Sequence, residues 1–331
     1  MKIRIVTPAG PMDRNGNSIT ALRWARILKQ LGHRVFVDET YRGEACNLLI
    51  ALHARKSADS IRLFKKQYPD LPLVVALTGT DLYRDIRTSR AAQQSLDLAD
   101  RLIVLQPMGL AELPRRLRRK TRVIYQSASR VRRQMRRHHI FKVCVIGHLR
   151  AEKDPLRTAR AARHLPASSK IQVVHVGRAM NEEMGTRARA EAARNPRYRW
   201  LGELAHWKTR RLLAGSHLLS LTSRMEGSAN VLSEAIASSV PVVASKISGL
   251  IGTLGKHYPG YFPAGDTRAL VRLLRRAESE SRFYRQLKSH CAGLRPLADP
   301  RQERAAWKAL LSELSSSRAV NSPSAPRESR T

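Results

Sequence analysis

Short apolar runs alternate with amphipathic stretches along most of this chain. Residues 3–7 read as a strand, followed by a Gly/Asn/Pro-rich loop over 8–17. Over 19–31, Ala21, Leu22, Ala25, Leu28 and Leu31 recur near helical spacing, which predicts a helix. Gly32 is placed to end it as a left-handed stop. Residues 35–37, 48–52, 73–77, 102–105 and 122–125 repeat the strand pattern, with helix-like stretches between them. The alternation restarts at 141–146. From there strands at 171–176, 218–221 and 241–244 alternate with helices at 154–163, 185–194, 208–214 and 230–237. Strands alternating with helices argue for a parallel sheet covered on both faces. The expected class is α/β, with two successive doubly wound, Rossmann-like units facing a cleft.

The expected division is 1–130 for the N-terminal unit, a basic linker over 131–140, and 141–299 for the C-terminal unit. A helix over 300–314 is expected to pack back across the join through Trp307 and Leu310. The Ser/Arg/Pro-rich tail over 315–331 is expected to be disordered. A chain of 331 residues accommodates two domains. No run approaches the roughly 18 uncharged apolar residues that a membrane helix needs, and the first residues lack the layout of a signal peptide. A cytoplasmic protein without membrane insertion is therefore expected. Cys46 and Cys144 lie in or beside strand-like runs and Cys291 is placed after a polar helix. Their spacing implies neither a disulfide framework nor a zinc site. The oligomeric state is left open.

Charge changes this picture. There are 61 Lys and Arg against 26 Asp and Glu, a formal net charge of +35. Such a field attracts anions and speeds their encounter, without saying which anion. The segment 115–137 is dense in Arg and has no Asp or Glu. Nucleic acid is not the expected partner, because the basic residues lack interleaved stacking aromatics and no recognised module is present.

In open parallel sheets ligands bind beyond the carboxyl ends of the strands, so the loops there are where chemistry is expected. The most specific segment is SRMEGSANVLSEA at 223–235, which follows a strand and opens a helix. Glu226 lies in the loop, where its carboxylate can accept hydrogen bonds from sugar hydroxyls. Glu234 sits about one turn inside the helix, within reach of a ribose. Charged acceptors bind hydroxyls more strongly than neutral ones. The free N–H groups at the helix start, around Ser228, Ala229, Asn230 and Val231, suit a diphosphate. His53, after the strand at 48–52 and beside Arg55 and Lys56, is a further cleft candidate.

This segment resembles the GT-B glycosyltransferases of family four, which carry a paired-glutamate motif. The likeness continues into SVPVVAS at 239–245 and reaches Ser248 and Gly249. Upstream, VIGHLRAEKD at 145–154 is similar to that family's "VGRLxxEKG". The resemblance implies that Gly147 and His148 line the donor site and that Lys153 binds the diphosphate. The family's arginine is replaced by His148, and Arg150, two positions on, can supply the cation. Glu226, Lys153 and Arg150 are the expected catalytic residues. Gly16 and Asn17 match a glycine-rich turn near the transferred sugar. Thr78, Thr80 and Asp81 fall in TGTD, similar to the family's "HGTD". A threonine at 78 cannot be a cation, so the role of that histidine does not carry over.

A narrower resemblance is to the selenosugar synthases of selenoneine biosynthesis. It rests on TPAGPMDRNGNSITALRWARIL, ALHARKSADSI, LTGTDLY and GHLRAEKDP. It implies a UDP-sugar donor, with N-acetylglucosamine or a close relative transferred, and selenophosphate as acceptor. The product would be a 1-selenosugar. No cofactor is implied and no DxD-like metal site stands out; cationic side chains would stabilise the leaving diphosphate. An O-glycosyltransferase of the same fold, acting on a polysaccharide or lipid, would explain the glutamates and Lys153 equally well.

Overall fold

A computed structural model describes residues 1–8, 15–131 and 139–321. Most of the expected basic linker, the middle of the first loop and the last ten residues of the expected tail lie outside the described residues.

The first sheet contains six parallel strands: β1 (Lys2–Val6), β2 (Arg34–Asp38), β3 (Leu48–Leu52), β4 (Leu73–Leu77), β5 (Arg101–Val104) and β6 (Thr121–Val123), in the order β2-β1-β3-β4-β5-β6. The second contains β7 (Phe141–Ile146), β8 (Ile171–Val176), β9 (Tyr198–Trp200), β10 (Leu218–Leu221), β11 (Val242–Ser245) and β12 (Tyr261–Phe262), in the order β12-β11-β10-β7-β8-β9. Leu48–Leu52 and Leu73–Leu77 are buried at every position, as befits central strands covered on both faces. The strand order reverses between β1 and β3 in one sheet and between β7 and β10 in the other. Those are the places where an open parallel sheet leaves a crevice, and the two crevices face each other.

Several helical boundaries differ from the sequence reading. The first helix is Gly16–Gln30 and starts three residues earlier than its apolar spacing indicates. The cause is Asn15, whose Oδ1 accepts from the amides of Asn17 and Ser18 at 2.9 and 3.1 Å; a side-chain cap overrides hydrophobic periodicity at a helix end. Gly32 follows with φ 85°, in the left-handed region. Where a helix over 154–163 was expected, Ala151–Lys153 forms a single 3-10 turn. Asp154 then takes a left-handed conformation (φ 44°), and the helix begins at Arg157. Cys291 lies inside the helix Ser281–Gly293 rather than after it, and burial pushes its thiol up to about 11.

The last helix, Pro300–Asn321, is longer than the expected 300–314, so the chain at 315–321 is helical instead of disordered. It leaves the second sheet's side of the molecule and packs on the first. Trp307, Leu310, Leu311 and Leu314 share a core with Ile3, Ile5, Trp24 and Leu28. The rings of Trp24 and Trp307 meet edge to face at 4.9 Å. Inside this contact Glu303 is buried and accepts from Arg23 Nε at 3.0 Å, Trp24 Nε1 at 2.8 Å and the Ser127 amide at 2.9 Å. One carboxylate thus ties the last helix to the first helix and to the strand of chain leaving the N-terminal domain.

Candidate functional site

β7 ends at Ile146 and delivers Gly147, His148 and Arg150 to the cleft. His175, fully buried on β8, holds this loop from beneath. Its Nε2 lies 3.1 Å from the Gly147 carbonyl and its Nδ1 lies 2.9 Å from the Tyr198 hydroxyl. A carbonyl only accepts, so Nε2 carries the proton and Nδ1 accepts from Tyr198. Burial pushes this imidazole down to about 4, against a smaller upward push from the Gly147 carbonyl, so the ring is neutral at pH 7. His148 Nδ1 accepts from the Arg178 amide at 3.2 Å. The Ala151–Lys153 turn is fastened by the Thr222 hydroxyl, which donates to the carbonyls of Lys153 and Asp154 at 3.1 and 2.9 Å. This aims Lys153 into the cleft, where Nζ donates to the Glu226 carboxylate.

Glu226 arrives from the loop after β10. The oxygen that meets Lys153 also accepts from Ser223 Oγ at 3.2 Å. The helix Asn230–Ala237 begins a few residues later, with Ser228, Ala229, Asn230 and Val231 lining the cleft at its start. Its first amides have no partner within the helix, and its dipole makes this end positive. Glu234 reaches the same cavity from one turn further in, and its Oε1 lies 2.8 Å from His206 Nε2.

The N-terminal domain closes the opposite wall. Because Asn15 starts the first helix, Gly16 and Asn17 are first-turn residues and present a second helix N-terminus to the cleft. Asn230 bridges the two domains: Nδ2 donates to the Gly16 carbonyl at 3.1 Å, and Oδ1 accepts from Arg23 Nη1 at 2.7 Å. Two positive helix ends, with Lys153 and Arg150 between them, therefore converge on one cavity. That arrangement favours an anion such as a diphosphate.

On the same wall, Thr78 lines the cleft and its hydroxyl is buried with no partner among the described residues. Its carbonyl lies against Gly227, where a Cβ would come within 2.4 Å, so only glycine allows the two domains to approach this closely there. His53, Thr80 and Asp81 do not line the cleft but build the loop behind Thr78. His53 is buried at φ 73°, its Nε2 is 3.2 Å from Thr80 Oγ1, and burial holds its pKa below the ordinary value. Asp81 is fully buried and accepts from the amides of Ala54, Thr78 and Gly79 at 3.1, 3.2 and 2.8 Å.

The cavity thus gathers Gly16, Asn17, Thr78, Gly147, His148, Arg150, Lys153, Glu226, Glu234 and the 228–231 segment. The sequence reading missed Thr20, Gln126, Glu203, Leu204 and His206, which line it too. Glu203, Leu204 and His206 follow β9, a strand of three residues, too short for a period-two pattern. Gln126 lies where the chain leaves the first sheet, and no local motif marks it.

Residues 132–291, just under half of the chain, match the family model described as glycosyl transferases group 1. Among solved structures the fold is similar to sucrose-phosphate synthase from Thermosynechococcus elongatus, at 16% identity and a TM-score of 0.79, covering 96% of this chain and 99% of that one. It is also similar to Anabaena Alr3699/HepE in complex with UDP-glucose, at 16% identity and 0.74, covering 96% and 100%. A glycosyltransferase from Rickettsia africae ESF-5 gives 12% identity and 0.73, covering 97% and 99%. At such identities the likeness speaks to the fold. No curated protein sequence is matched. The two facing doubly wound domains make this a GT-B fold, and residues 132–291 of its C-terminal half match a group 1 glycosyltransferase domain.

Proposed function

We propose that this chain transfers a sugar, N-acetylglucosamine in our reading, from its UDP conjugate to selenophosphate. The observation that carries the donor half is the convergence of two helix N-termini, Lys153 and Arg150 between two glutamates. In this reading Glu234 accepts from the ribose and Glu226 from the sugar. The amides of 228–231, Lys153 and Arg150 neutralise the diphosphate as it leaves, and Gly147 and His148 line its path. The Anabaena protein of like fold, whose structure is a complex with UDP-glucose, supports a uridine nucleotide as donor. Such pre-oriented donors act where charge develops in the transition state.

The acceptor half rests on the sequence strings at 7–28, 51–61, 77–83 and 147–155 and on one feature of the cleft. Among the described residues, the N-terminal ones that line it are Gly16, Asn17, Ile19, Thr20, Thr78 and Gln126, none of which can act as a base near pH 7. His53 is buried behind the wall. An alcohol acceptor needs deprotonation, whereas an anionic selenium nucleophile does not. Selenium attacks the anomeric carbon as the bond to UDP breaks and UDP takes the electron pair. Water then cleaves the P–Se bond, releasing inorganic phosphate and leaving the 1-selenosugar.

The test is a time course of UDP release across a panel of UDP-sugars, with and without selenophosphate, under anaerobic reducing conditions, with products read by mass spectrometry. Selenium-dependent release and a selenosugar mass are expected. Release that is indifferent to selenophosphate for every donor would overturn the acceptor assignment and leave the donor site standing.

A further inference from the structure

A second depression lies on the other side of the Ala151–Lys153 turn and shares no lining residue with the donor cleft. Its volume of about 500 Å³ falls in the range of ligand-sized pockets, roughly 300–1,000 Å³. Five guanidinium groups line it, from Arg84, Arg157, Arg160, Arg187 and Arg224, against the two carboxylates of Glu152 and Asp154.

Part of this basic wall is held in place. Asp154, buried and in a left-handed backbone conformation, accepts from Arg157 Nε at 2.8 Å and lies 3.6 Å from Arg224 Nε. Arg157 Nη1 donates to Thr267 Oγ1 at 2.7 Å, and the Arg157 side chain is 11% exposed. Glu152 lies 3.8 Å from Arg150, a residue of the donor cleft. Arg160 is different: it is half-buried, and its guanidinium has neither a hydrogen-bond nor an ion-pair partner among the described residues. With no carboxylate or carbonyl of the protein on it, this guanidinium keeps its donors available to an anion entering the pocket. Its planar fork matches the oxygens of a phosphate.

The placement matters as much as the charge. Arg84 belongs to the N-terminal domain, and the other four arginines to the C-terminal domain. An anion bound among them touches both domains at once, and it rests against the turn whose last residue, Lys153, enters the donor cleft.

We infer that this pocket is a second binding site for a phosphate-type oxyanion, distinct from the donor cleft, with Arg160 and Arg224 as its principal contacts. The test is equilibrium dialysis of radiolabelled inorganic phosphate at fixed ionic strength, using wild type, the double variant R160Q/R224Q and K153Q. Saturable binding of one phosphate per chain is expected in wild type, at least tenfold weaker in R160Q/R224Q and within threefold of wild type in K153Q. Melting temperatures in chloride alone should match across the three, because neither pocket arginine supports a core contact. Absence of saturable binding, binding that survives R160Q/R224Q within threefold, or binding that K153Q removes would each overturn the assignment, the last by moving the anion into the donor cleft.

Discussion

Lys153 and Glu226, carried on the loops after β7 and β10, form an ion pair inside the cleft, with the ammonium donating to one carboxylate oxygen. The same two side chains are the ones that a diphosphate and a sugar hydroxyl would claim. Each side chain keeps the other oriented, and both are largely shielded from solvent.

It follows that Lys153 matters more for rate than for folding. Lys153→Ala should slow sugar transfer by about 10²-fold, the scale of losing one donor aimed at developing negative charge. The melting temperature should change less than the rate, since the Lys153 side chain is 30% exposed and much of its attraction to Glu226 is offset by desolvation. Initial rates of UDP release check this. A rate within twofold of wild type would assign the role to Arg150 instead.

Glu234→Ala should weaken UDP and UDP-sugar together, by about 1–3 kcal/mol for one lost charged hydrogen bond. Glu226→Ala should spare free UDP and cost only the sugar nucleotide. Calorimetric titration of both ligands against both variants separates these outcomes; unchanged UDP affinity in the Glu234 variant would remove it from the ribose site.

His175 gives a pH dependence with a defined sign. Its folded pKa is about 4, below the ordinary 6.5 of the unfolded chain, because burial disfavours the cation. On acidification the unfolded state takes up the proton first. The contribution is therefore complete above pH 6.5 and is lost as pH falls toward 4, at about 1.4 kcal/mol per unit. His53 is shifted in the same direction by burial. Urea unfolding of wild type and His175→Phe between pH 7 and 5 should show a slope shallower by that amount in the variant. Parallel slopes would exclude His175 as the source.

Glu303→Ala should be the most destabilising of these changes. It strips a buried acceptor from Arg23, Trp24 and Ser127 at once. Breaking a buried charged network from one side costs about 3–5 kcal/mol. Denaturant unfolding monitored by tryptophan fluorescence reads this directly, since Trp24 is one of the donors. A loss under about 1 kcal/mol would mean that water replaces the carboxylate without penalty.

Much of this protein was legible in its sequence. The apolar runs at 48–52, 73–77, 141–146, 171–176 and 218–221 coincide with strands, and those at 48–52, 73–77 and 218–221 are buried at every position, which favours a near-continuous apolar run. The alternation with helices determined the doubled α/β class, and the 223–235 segment marked one wall of the cleft. Local chemistry suffices for such features: a strand end, a glycine and a helix start are neighbours along the chain.

Only the tertiary structure decided which residues share the cavity. Gln126 and Thr20 are 106 positions apart yet hydrogen-bonded at 2.9 Å. Arg23 and Glu303 meet across 280 positions, and His206 finds Glu234 through a three-residue strand that leaves no periodic trace. Tertiary structure also withdrew His53 and Asp81 behind the wall, since both satisfy buried hydrogen bonds that the sequence does not display. The physical reason is common to all of these. Periodicity records which face of an element avoids water, whereas the position of a polar side chain depends on partners that folding brings from distant segments.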